Sequence, residues 1–167
     1  GSNKSASTFW RAGAFKSYPA DVNGDGRMDF VQIANDAYET QVMVSNGDGT
    51  YTRAWTENVG MDKSIAKFWR AGAHATYSGD VNGDGKTDFI QLGIGYYEAK
   101  VLLSNGDGAF TQVWSESIGS GWSSSAKFWT ASEYTTYSVD LNGDGRADFV
   151  QVGNSSYHTQ ALLSNGD

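Results

Sequence analysis

The chain has 167 residues, 39% of them hydrophobic and 14% aromatic, which supplies enough apolar surface for a packed core and excludes a disordered polypeptide. A formal charge of −7 argues against nucleic acid or an anionic membrane surface as partner, because both reward clusters of Lys and Arg. The lack of cysteine excludes disulfides and thiolate metal sites, and no run approaches the apolar length of a membrane span, so membrane insertion is not expected.

In chain order, Phe9-Trp10 comes first and is followed by "AFKSYPAD", a short strand pattern. The acidic decapeptide "DVNGDGRMDF" occupies residues 21 to 30. The segments "DFVQIA", "ETQVMVS" and "TYTRAWT" then alternate apolar and polar residues with many Val, Ile, Tyr and Phe, the signature of strands. "SNGDG" between the last two is a hairpin turn, since Asn and Gly tolerate positive φ. After the long connection "ENVGMDKSIA" the series begins again. Phe68-Trp69 precedes "DVNGDGKTDF" at 80 to 89, and Phe128-Trp129 precedes "DLNGDGRADF" at 140 to 149, at intervals of 59 and 60 residues. Four antiparallel strands per repeat in tandem predict an all-β chain of β-propeller blades, with blade 1 over 1–60, blade 2 over 61–120 and blade 3 over 121–167. The third repeat stops before any counterpart of "GTYTRAW", so it is expected to lack its final strand.

Nine of the nineteen acidic residues lie in the three decapeptides. Side-chain oxygens at positions 1, 3, 5 and 9 of such a loop, with a backbone carbonyl at position 7, match the oxygen-rich shell of a hard divalent cation. The expected ligands are Asp21, Asn23, Asp25, the carbonyl of Arg27 and Asp29; then Asp80, Asn82, Asp84, the carbonyl of Lys86 and Asp88; then Asp140, Asn142, Asp144, the carbonyl of Arg146 and Asp148. A glycine at position 6 permits the sharp turn. Position 12, a bidentate Glu in an EF-hand, is here Gln32, Gln91 or Gln151, and a strand follows where an EF-hand has a helix. Three Ca²⁺ sites are therefore expected in loops between strands. A turn that only caps its own amides needs one or two such side chains, not three carboxylates.

The run "YSGDVNGDGKTDF", with "YSVDLNGDGRADF", resembles the FG-GAP or VCBS repeats of integrin-α-like propellers, whose calcium sits in this loop. Trp10-Arg11 and Trp69-Arg70 are similar to the Trp-Arg of integrin-like mushroom propeller lectins of the Psathyrella velutina type, while Trp129-Thr130 departs from it. This resemblance implies a calcium-stabilised carbohydrate-binding module, extracellular or at the cell surface. The alternative is a structural or protein-binding propeller segment of a larger adhesin, toxin or enzyme.

In an up-and-down blade the strand 1–2 and 3–4 connections share one end, which leaves "NDAYE", "IGYYE", "NSSYH" and the interblade segments at the other. Tyr38, Tyr97, Tyr157 and Trp122 are the candidate sugar contacts there, since aromatic faces beside polar groups suit glycans. The Phe-Trp pairs read as packing between blades. No nucleophile or acid-base pair stands in a catalytic setting, so no enzyme is expected, and His74 and His158 read as exposed loop residues. Three blades cannot surround a channel, which predicts a homo-oligomer, most simply a dimer closing six blades.

Overall fold

The structure is a computed structural model that describes residues 9–119 and 126–166. It contains strands β1 (Phe15–Ala20), β2 (Asp29–Ala34), β3 (Glu39–Ser45), β4 (Tyr51–Asn58), β5 (His74–Gly79), β6 (Asp88–Gly93), β7 (Tyr97–Ser104), β8 (Phe110–Gly119), β9 (Tyr134–Val139), β10 (Asp148–Gly153) and β11 (Thr159–Leu162), with no helix among the described residues. They form three antiparallel up-and-down sheets, β1-β2-β3-β4, β5-β6-β7-β8 and β9-β10-β11, the successive blades of a propeller. The third sheet has three strands among the described residues, as the sequence predicts.

One polar row crosses each blade at the same height. Gln32 pairs in register with Ser17 on one side and Gln41 on the other; Gln91 pairs with Thr76 and Lys100; Gln151 pairs with Thr136 and Gln160. The amide of each central Gln clamps the backbone of the Trp that precedes the blade. Trp69 N donates to Gln91 Oε1 at 2.6 Å while Gln91 Nε2 donates to Trp69 O at 2.9 Å, and Gln32 with Trp10 and Gln151 with Trp129 repeat the arrangement. A Gln amide donates and accepts at once, which an ionised Glu cannot do, and this accounts for Gln where an EF-hand has Glu.

The clamp holds Phe9, Phe68 and Phe128 in place. Phe68 lies edge-on to Phe89 and Phe110 of its own blade, and the same trio in blade 1 is Phe9, Phe30 and Tyr51. Phe68 and Phe89 also pack with Ala20, Val22, Val31 and Ile33 of blade 1, so the joint between blades 1 and 2 is a hydrophobic core. Phe128 and Phe149 meet Val81, Ile90 and Leu92 of blade 2 in the same way. Phe68 and Phe128 are thus packing between blades, while Phe9 meets Phe30 and Tyr51 of its own blade. Trp55 and Trp114 reach across these joints as well, to Phe68 at 6.5 Å and Phe128 at 6.0 Å. In blade 3, Phe128 and Phe149 are the two rings of the trio among the described residues, and beside them lies a cavity of about 170 Å³ lined by Trp114, Phe128, Phe149 and Leu162 among others.

Candidate functional site

The three acidic loops share one geometry. Asp21 accepts hydrogen bonds from the amides of Gly24 (2.8 Å), Asp25 and Gly26, and Asp25 accepts from the amide of Arg27. Gly26 sits at φ 80°, a left-handed conformation that a side chain would strain, at the position where the turn requires it. Asp80 and Asp84, then Asp140 and Asp144, repeat this pattern. Asn23, Asn82 and Asn142 each donate to the carboxylate at position 5. That carboxylate also pairs with the basic side chain two residues on: Asp25 with Arg27, Asp84 with Lys86 at 2.6 Å, Asp144 with Arg146 at 2.6 Å. The position-9 acids Asp29, Asp88 and Asp148 are buried, each bridging its loop to the β3-β4-type hairpin: Asp88 accepts from Val81 N at 2.9 Å and Ser104 N at 2.8 Å.

Among the described residues no three acidic or imidazole groups converge on one point, because the carboxylates are turned toward backbone amides. The donor chemistry nevertheless fits a hard cation. A carboxylate oxygen has two lone pairs, and most of these accept one bond. Burial, together with the charges of Asp84 and Asp80, pushes Asp88 up to about 6, and burial raises Asp29 too. A divalent cation would relieve that repulsion. The ion pairs that hold the position-5 acids lie at the surface, where solvent screens them, so they present little barrier to displacement.

At the opposite end of the blades, Tyr38 and Tyr97 differ from the expectation of sugar platforms. Both are buried, Tyr38 against Ala66 and Trp69 and Tyr97 with its hydroxyl 3.5 Å from Glu133, because the next blade packs over them. Tyr157 is exposed, and Trp122 lies outside the described residues. His74 is buried and opens β5, which corrects the reading of an exposed loop residue; His158 is exposed as expected.

The residues that do gather are others. Tyr38, Lys63, Arg70, Ala73, His74, Tyr96 and Glu98 line a cleft of about 210 Å³ between blades 1 and 2. Glu98 accepts from Lys63 and lies 3.2 Å from His74 Nε2, while His74 Nδ1 lies 3.3 Å from Arg70 O. Burial lowers the His74 pKa despite these acceptors. Burial opposes ionisation of Glu98, but hydrogen bonds from Lys63 and His74 hold its pKa below the usual value. Arg70 lines the cleft, and its Nε is buried without a hydrogen-bond partner among the described residues. Tyr96 is half exposed at its mouth. The next cleft does not copy it, since Thr130, Tyr134, Ser156 and His158 stand where Arg70, His74, Tyr96 and Glu98 do. The Trp-Arg pair and the loop "IGYYE" marked this region in the sequence, but alternation alone did not show which of Tyr96 and Tyr97 faces outward.

These blades and loops define a tandem propeller-blade protein. The chain belongs to the FG-GAP-like repeat family, whose model matches residues 21–91 and 80–151. Among solved structures it is similar to an Agrocybe aegerita lectin described as specifically recognising non-reducing terminal N-acetylglucosamine, with 30% identity and a TM-score of 0.65 over 95% of this chain. The chain spans 37% of that lectin's length. It also shares its fold with TcdB2-TccC3, at 18% identity and a TM-score of 0.56 over 89% of this chain and 7% of the other, and with the same assembly lacking its hypervariable C-terminal region, at 16% identity and a TM-score of 0.57 over 90% of this chain and 6% of the other. No curated protein sequence matches the chain.

Proposed function

We propose that this is a glycan-binding propeller module, stabilised by calcium and acting outside the cell, with no catalytic activity of its own. The observation that carries the reading is the cleft between blades 1 and 2, which brings Arg70, Glu98 and the half-exposed Tyr96 together. Arg70 donates, the Glu98 carboxylate accepts, and Tyr96 offers an apolar face, the combination of polar and stacking contacts that suits a sugar. The similarity to a lectin that recognises terminal N-acetylglucosamine supports a neutral acetamido sugar as the ligand class.

Calcium belongs to the same reading. Asp21, Asn23, Asp25, Asp29 and the carbonyl of Arg27 would hold one ion, and the equivalent residues of the other loops would hold two more. Three ions add six positive charges to a formal charge of −7 and leave −1. Their chemical contribution is to neutralise the loops and fix the end of each blade, with no step in which bonds are made or broken.

Isothermal titration of the protein with N-acetylglucosamine tests the sugar reading. Saturable heat that Arg70→Ala and Tyr96→Ala abolish, and Tyr157→Ala leaves in place, is the expected result. Silence toward this sugar and across a glycan array would overturn it.

A further inference from the structure

We infer that the ligand of the cleft between blades 1 and 2 is an oligosaccharide, and that its second sugar residue occupies an adjoining cleft along β8 beside Ser64, Gln112 and Ser115. The inference rests on the glycan reading of the first cleft and extends it.

The face that blade 2 turns toward blade 1 sets the two clefts side by side. Alternate residues of a strand share a face, so Glu98, Lys100 and Leu102 of β7 point the same way, and Leu102 lies in the core common to blades 1 and 2. Across the ladder Ser117 stands opposite Glu98, Ser115 opposite Lys100 and Gln112 opposite Leu102. A bulge at Val101 and Leu102 returns Gln112 to this face, as bulges re-aim the side chains that follow them. The first cleft, of about 210 Å³, takes in Glu98, and Ser117 Oγ lies 3.4 Å from Glu98 Oε1. The second, of about 370 Å³, is lined by Lys63, Ser64, Ala66, Trp69, Gln112 and Ser115. Glu98–Ser117 and Lys100–Ser115 are successive pairs on one face, a step of about 7 Å along the strand. That step is the reach of the next ring in a linked sugar.

Lys63 is the ridge between them. It lines both clefts, pairs with Glu98 and holds its ammonium 4.6 Å from the centroid of the Trp69 ring. An ammonium has three donors, so one that serves Glu98 can also serve a ligand oxygen where two sugars join. Beyond the ridge the groups are neutral. Gln112 and Ser115 are exposed, with Gln112 Nε2 3.3 Å from Ser115 Oγ, and between them they offer an amide and a hydroxyl to solvent. Ser64 Oγ donates to Asp62 Oδ1 at 2.6 Å and so presents an acceptor to the cleft. Lys100 beneath is buried and donates to the carbonyls of Ala66 and Lys67. Among the described residues no carboxylate lines this second cleft, and its amide, hydroxyls and indole wall suit an uncharged, polyhydroxylated ring.

Isothermal titration tests this by comparing the methyl glycoside of N-acetylglucosamine, which fills one cleft, with disaccharides that join the same terminal residue through different hydroxyls to a second N-acetylglucosamine. One of the disaccharides should bind about tenfold tighter than the methyl glycoside, equivalent to about 1.4 kcal/mol, the size of one or two net hydrogen bonds. The double variant Gln112→Ala with Ser115→Ala changes exposed positions of an outer strand, so it should fold, as circular dichroism would confirm, and bring the ratio of the two affinities close to unity. If the methyl glycoside binds and no disaccharide exceeds it, the second cleft takes no sugar: the inference falls and the glycan reading of the first cleft stands. A gain that the double variant leaves unchanged overturns the inference as well, by placing the second sugar elsewhere. Silence toward all of these ligands overturns the inference together with the glycan reading on which it rests.

Discussion

Gln91 and Trp69 hold each other by two hydrogen bonds, the indole residue's amide to Oε1 at 2.6 Å and Nε2 to its carbonyl at 2.9 Å. Gln91→Glu keeps the shape but removes the donor, so a buried carboxylate would face the Trp69 carbonyl. A loss of about 3 kcal/mol in urea denaturation is expected from an unsatisfied buried acceptor carrying a developing charge. Calcium affinity should not rise. A tighter site with undiminished stability would show that position 12 serves the metal instead of the joint.

Lys100 occupies the place of Gln41 and Gln160 in the polar row. It is buried, donates to the carbonyls of Ala66 and Lys67, and lies 4.3 Å from the Trp69 ring centroid. Those contacts favour the charged form, yet burial outweighs them and lowers its pKa from 10.5 to about 7. Between those values the unfolded chain binds a proton that the folded chain does not, so Lys100 makes stability rise with pH through that window. Below pH 7 the full penalty is present. Gln160 Nε2 already donates to the Lys127 carbonyl at 2.9 Å, so Lys100→Gln should keep the hydrogen bond and lose the penalty. The variant should melt a few degrees above the wild type at pH 6, a gain on the order of 1 kcal/mol, with the gap narrowing toward pH 10. Parallel melting curves across that range would show that the ammonium is not penalised.

Period-2 alternation, the turn residues and the threefold repeat made the strands, the hairpins and the short third sheet legible before any coordinates. Repetition also identified Phe68 and Phe128 as joint residues. The cleft was less legible for a physical reason. Arg70, His74 and Glu98 lie on different segments, and whether a ring is covered depends on how the following blade packs over it, which alternation within one blade does not encode. Tyr96 and Tyr97 are adjacent in sequence and opposite in exposure because successive residues at the start of a strand point to opposite sides.

Calcium removal should loosen all three loops. Metal that binds only the folded chain stabilises it by about 2.7 kcal/mol per site at a hundredfold excess over its dissociation constant, so excess chelator should lower the melting temperature. Asp84→Ala should remove one calcium equivalent in a calorimetric titration. Asp48→Ala, in the hairpin where Asp48 caps Thr50, should leave the stoichiometry unchanged. Loss of metal on changing Asp48 would mean that the two loop types had been assigned the wrong roles.

Phe110 completes the aromatic trio of blade 2, with centroids 5.1 Å from Phe68 and 5.5 Å from Phe89. Phe110→Ala would leave a space beside Phe68 and Phe89, in the core shared by blades 1 and 2. Truncating a buried Phe costs about 3–5 kcal/mol, through lost transfer energy and the space that remains. Phe110→Leu keeps much of the volume and should cost less than half as much. Because Phe68 touches both Phe110 and the Trp55 side of blade 1, the Ala variant should also weaken the protection of β2 and β3 amides in hydrogen exchange. If Phe110→Ala instead costs less than about 0.5 kcal/mol, the range of surface substitutions away from a core, the trio is not what holds the blades together, and the polar clamps of Gln32, Gln91 and Gln151 carry the joint.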